Sequence, residues 1–225
     1  MSASPEEVLD YIVSGDADGL RELLAGDPSL AEGVDDAGVS LLLQARYRGE
    51  SELVEIIRAA KPSLDLFEAA ALGDVARVGE ILDAEPFIVS ALAPDGFSAL
   101  HLAAFFAQPS VAQLLVDRDA DVNVEADNSS HVQPLHSAVA GRDVRCVQIL
   151  LDAGANVDGR QHGGWTALMA ASEHGDLEVV RSLLAVGADP SLRSDDGRSS
   201  LDFAEAEGHA EVLSALRAAA EGSSS

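Results

Sequence analysis

The chain has 225 residues, 47% of them hydrophobic and 24% charged, a balance that supports a buried core and excludes a disordered polymer. Thirty-nine acidic against 14 basic side chains leave a net charge of −25, which repels phosphate backbones and anionic lipid headgroups and argues against nucleic-acid or membrane-surface binding. The single cysteine, Cys146, rules out an internal disulfide framework and a Cys-rich zinc site.

The opening Met-Ser-Ala-Ser-Pro-Glu-Glu has no basic region leading into an apolar stretch, and no run approaches the ~18 apolar residues of a membrane span. A soluble, cytoplasmic, acidic protein is expected. From Asp95 onward one order of elements recurs. A turn and a short apolar helix come first, at Asp95–Ala104, Gln133–Ala138, Gly164–Ala171 and Gly197–Ala204. A second apolar-periodic stretch follows at Val111–Leu115, Cys146–Leu151 and Val179–Leu184. Asp119–Asn123, Gly154–Asp158 and Gly187–Ser191 then close the units.

This order resembles the ankyrin repeat: a turn, T-P-L-H-x-A opening a helix, a glycine, a V-V-x-x-L-L helix, then G-A-D-V-N. The slot of the inter-helix glycine can be followed through Gly15, Gly49, Gly73, Ala107, Arg142, Gly175 and Gly208, in steps of 34, 24, 34, 35, 33 and 33 residues. The resemblance implies an all-α ankyrin-repeat solenoid of stacked helix-turn-helix repeats with β-hairpin or turn fingers, a single domain over residues 5–220. Its repeats would run roughly 5–34, 35–63, 64–92, 93–125, 126–158, 159–191 and 192–220, with a disordered tail at 221–225. The 24-residue step leaves no room for a finger around Lys61, the only lysine. Fewer contacts there predict the weakest junction of the stack, open to proteolysis near Lys61. Leu100, Leu135, Leu168 and Leu201 recur at one position and should form an internal ladder. Ala107 and Arg142 replace glycine where a left-handed cap is needed.

No residue cluster asks for chemistry. His101 and His136 fill the T-P-L-H slot, which in the family ties a turn to the next repeat, and Leu43, Phe67, Met169 and Asp202 fill it elsewhere. Cys146 takes a core-facing position of the second helix, so an inert buried thiol is expected. The acidic run from Asp117 to Asn123 lacks a calcium loop's sixth-place glycine and twelfth-place glutamate, holding Val122 and Asn128 instead. No metalloprotease, nucleophile-elbow or phosphate-loop motif occurs, so no catalytic residue, metal or cofactor is expected.

Ankyrin stacks bind partners on the concave side, built from finger tips and the ends of the inner helices. The matching positions here are Val39, Tyr47 and Arg48; Ala71 and Leu72; Phe97, Phe105 and Phe106; Val132, Ala140 and Gly141; Trp165, Glu173 and His174; and Arg198, Ala206 and Glu207. Five of the nine aromatic residues fall in this set, and aromatics bury large area at low entropic cost. Tyr47, Arg48, Phe97, Phe105, Phe106, Trp165, His174 and Arg198 are the candidate binding residues. The competing reading is that Phe97 and Phe106 merely pack the stack. The resemblance thus implies a monomeric, non-enzymatic scaffold or adaptor for a protein partner of unknown identity. The acidic excess is either a solvated surface or the mark of an inhibitor or antitoxin-like subunit that masks a basic partner.

Overall fold

The computed structural model describes residues 4–222. Fourteen α-helices among the described residues follow one another as helix-turn-helix pairs. These are α1 (Pro5–Ser14) with α2 (Ala17–Gly26), α3 (Leu41–Tyr47) with α4 (Ser51–Ala60), and α5 (Leu66–Leu72) with α6 (Val75–Ala84). Then come α7 (Ala99–Phe105) with α8 (Pro109–Asp117), and α9 (Pro134–Ala140) with α10 (Val144–Asp152). The last are α11 (Ala167–His174) with α12 (Leu177–Ala185), and α13 (Ser200–Ala206) with α14 (Ala210–Gly222). The odd-numbered helices stack as an inner row and the even-numbered ones as an outer row. The result is the all-α solenoid that the sequence implies. Among the described residues β-pairing is confined to isolated bridges at finger bases, Val34 to Ser40, Leu92 to Ser98 and Arg193 to Ser199.

Most inner helices have only seven residues, too few to be stable in water alone. Side-chain caps start them: Ser40 accepts from the Leu43 N–H, Asp65 from Glu68, Ser98 from His101, Thr166 from Met169 and Ser199 from Asp202. Burial then holds them. Leu100, Leu135 and Leu168 are almost wholly enclosed, and Ala99, Ala103, Ala104 and Ala138 let neighbouring helices approach closely. Leu201 departs from the expected ladder and is only partly buried, because α13 belongs to the last pair and is covered from one side. Phe203 fills the core there instead.

All seven residues of the inter-helix slot have positive φ, from 56° at Arg142 to 77° at Gly49 and Gly73. Ala107 and Arg142 adopt the glycine-like conformation at a cost of ~1 kcal/mol each and do not rebuild the cap. Gly96 is needed for space as well as for its φ of 85°, since a Cβ there would lie 2.4 Å from the Asp127 carbonyl oxygen. That close approach lets Asp127 N–H donate to the Gly96 carbonyl at 2.9 Å, joining two fingers.

Between α4 and α5 only residues 61–65 remain, with no finger, and the packing of α3 on α5 is the sparsest of the inner row. At that junction Pro62 and Ser63 are exposed, whereas Lys61 is not. Its side chain is 5% exposed, and Nζ sits 2.9 Å from Glu68 Oε1 and 3.3 Å from Glu32 Oε2. Burial would lower the Lys61 pKa, but the two carboxylates outweigh it and hold the ammonium above its ordinary 10.5. An ion cluster thus sits at the junction that has no finger. The expected tail is also shorter, since Glu221 and Gly222 continue α14, while residues 223–225 lie outside the described residues.

Candidate protein-binding face

The fingers before α7, α9 and α11 and the C-terminal ends of α3, α7, α9 and α11 enclose a concave cavity of about 350 Å³. Tyr47 ends α3 and donates its hydroxyl to Asp95 Oδ2 at 2.7 Å, across to the finger that precedes α7. Burial, reinforced by that carboxylate, pushes the Tyr47 phenol pKa up. The Tyr47 ring lies 5.4 Å from Phe106 and 6.5 Å from Phe105. Phe105 and Phe106 meet nearly edge-on at 5.0 Å. Phe97, just after the finger glycine, stands 5.7 Å from the His101 ring. On the opposite side Trp165 rests against Phe203 at 4.2 Å, with the Arg198 guanidinium 3.9 Å over the same Phe203 ring.

The floor is made of inner-helix residues. His101 Nδ1 accepts from the Ser98 N–H at 3.2 Å, and its Nε2 donates to the Val132 carbonyl at 3.0 Å. His136 repeats the arrangement, accepting from Gln133 N–H at 3.1 Å and donating to the Gly159 carbonyl at 3.1 Å. The partners fix the neutral Nε2–H tautomer, and burial holds His101 down to about 4 and lowers His136 as well. Both nitrogens of each ring are used, so neither imidazole offers a lone pair to a metal or a substrate. This is the turn-tying role expected of both. Cys146 is fully buried, and burial, aided by Asp143, pushes its thiol up to about 12.

Of the eight candidate residues, Tyr47, Phe97, Phe105, Trp165 and His174 line the cavity together. Phe106 turns away to pack on Val39, Leu43, Ala71 and Leu102, with Arg46 4.6 Å over its ring. Arg198 flanks the site through Phe203, and Arg48 is exposed at the end of α3 outside the cavity. Two of the concave positions, Val39 and Ala71, are buried and present no surface. Val132, Ala140 and Glu173 do line the cavity. Reading by aromatic content passed over Ser130, Ser137, Gln161 and Ala170, whose small or polar side chains come from adjoining turns of the same repeats. His174 Nδ1 faces Asp176 Oδ2 at 3.8 Å, beyond hydrogen-bond reach, while Asp176 Oδ1 pairs with Arg142 at 2.5 Å.

A sequence profile described as "Ankyrin repeats (3 copies)" matches residues 66–161 and 135–223. The chain belongs to the ankyrin-repeat family. Ankyrin repeats form protein–protein interaction scaffolds and are in general non-enzymatic. The chain is 40% identical over 94 residues to "Probable E3 ubiquitin-protein ligase XBOS31" of Oryza sativa subsp. japonica, covering 41% of this chain and 21% of that protein. It is 28% identical over 139 residues to "Ankyrin repeat and SAM domain-containing protein 6" of Rattus norvegicus, covering 59% of this chain and 16% of that one. It is 43% identical over 70 residues to "Neurogenic locus Notch protein" of Drosophila melanogaster, 31% of this chain and 2% of the other. The ankyrin repeats of this chain thus correspond to a minor part of each relative's length. No helix among the described residues is long and apolar enough to cross a membrane.

Proposed function

We propose that the chain is a monomeric, non-enzymatic adaptor that docks a protein partner on its concave face, with the aromatic cavity as the anchor point. The observation that carries this reading is Phe105. It is 38% exposed at a cavity whose other aromatic walls belong to three different repeats. A large apolar ring left in water beside a preformed cavity contributes affinity only when something covers it. A second reading, an inhibitory subunit that masks a basic partner surface, is favoured by the net charge of −25. Such a contact would weaken steeply with rising salt, whereas a mainly apolar one would not.

The test is affinity capture from the proteome of the source organism, with mass spectrometry, comparing the wild type with Phe105→Ala. A protein retained by the wild type and lost by the variant supports the adaptor reading. Retention of the same proteins by both would remove the cavity from the binding face.

A further inference from the structure

Four aromatic side chains, Tyr47, Phe97, Phe105 and Trp165, surround the concave cavity, and no arginine or lysine lines it. Its one carboxylate is that of Glu173, which forms no ion pair among the described residues. The end of α11 that carries Glu173 is held in place, because its backbone carbonyl accepts from His209 Nε2 at 3.0 Å. On both flanks the chain places its own guanidinium groups on aromatic faces, Arg46 at 4.6 Å over Phe106 and Arg198 at 3.9 Å over Phe203. The cavity between them has the same kind of wall and lacks the cation.

Resting on the docking reading above, we propose that the cavity receives an arginine side chain projected by the partner protein. An aromatic face attracts a cation through its quadrupole, most strongly where water is excluded. The charge balance points the same way, since the chain as a whole carries −25 and the cavity's fixed charge is negative. Arginine suits the walls better than lysine. Its planar, weakly hydrated guanidinium stacks on rings, and its five donors can meet Ser130, Ser137, Gln161 and Glu173. The volume of about 350 Å³ is near the lower end of the ~300–1,000 Å³ of ligand pockets, enough for one long side chain.

Trp165 is the only tryptophan and lines the cavity, so its fluorescence reads the occupant directly. The probes are blocked five-residue Gly/Ser peptides with a central arginine, citrulline or leucine. Citrulline keeps the shape of arginine and removes the charge. The arginine peptide should change Trp165 emission saturably, and the citrulline peptide should bind about tenfold more weakly. Glu173→Gln should also weaken the arginine peptide by about tenfold, with an unchanged circular-dichroism melt showing that the variant folds. Phe105→Ala should weaken it too. The assignment is overturned if citrulline or leucine peptides match the arginine peptide, or if none gives a saturable response. A preference for leucine would remove the arginine while leaving protein docking to be decided by its own capture experiment.

Discussion

Lys61→Met should be among the most damaging single changes in the chain, although Lys61 lies at the thinnest junction of the stack. The Glu68 carboxylate is 1% exposed and sits 2.9 Å from Lys61 Nζ, and its other oxygen accepts from the Asp65 N–H. Removing the ammonium strands a buried negative charge, which typically costs ~3–5 kcal/mol. The second partner, Glu32, is 49% exposed, so its pairing contributes at most ~1 kcal/mol. A total near 4 kcal/mol is expected from urea titration followed by far-UV circular dichroism. Lys61→Met combined with Glu68→Gln removes both charges and should recover most of the loss, since a neutral pair carries no uncompensated ion. Because the folded pKa of Lys61 is raised, the pair's contribution is fully present below 10.5 and is lost as pH climbs through the folded value. A single variant within ~1 kcal/mol of the wild type, or a double variant no better than the single, would show that Glu68 is not held by the Lys61 ammonium.

Leu135→Ala, opening a cavity in the inner row, should cost ~2–5 kcal/mol in the same titration, and Phe105→Ala, whose ring is 38% exposed, less than that. Trp165→Ala should fall between them, because its ring rests on Phe203 at 4.2 Å and so packs the stack as well as lining the cavity. His101 should make stability fall as pH drops from 6.5 to about 4, since the unfolded chain takes up a proton that the buried ring refuses. The full drop is ~3 kcal/mol, and His101→Gln should flatten that part of the pH profile relative to the wild type. With −25 charges repelling one another, the melting temperature should rise between low salt and ~0.5 M sodium chloride, equivalent to ~1 kcal/mol; a flat or falling curve would show the acids already compensated.

What the sequence made legible was periodic. Gly15, Gly49, Gly73, Gly175 and Gly208 recur in register, and the structure gives each the left-handed backbone that only glycine adopts freely. The same register carried Ala107 and Arg142 to the correct conformation without a glycine to mark them. The five candidate residues that line the cavity were legible for a similar reason, because equivalent repeat positions project to one face. What escaped was set by contacts between repeats that the register does not encode. Phe105 and Phe106 are adjacent, yet one faces the cavity and the other packs on Val39 and Leu102. The shortened linker at Lys61 was visible, whereas the partners of its ammonium lie 29 residues before and 7 after it. An ion pair across a gap leaves no periodic trace.

Docking on the concave face requires a protein partner to cover the cavity. Amide hydrogen exchange, read on the chain free and bound to a partner taken from the capture experiment, locates that coverage segment by segment. Exchange should slow on binding in the segments that carry Phe97, Phe105, Ala140, Trp165 and Glu173, with the outer helices α8, α10 and α12 unchanged. Phe87, 80% exposed on the turn after α6, is the sharpest alternative anchor. Protection centred on residues 86–90, or on the outer helices, with the cavity segments unaltered, would place the partner elsewhere and overturn docking on the concave face.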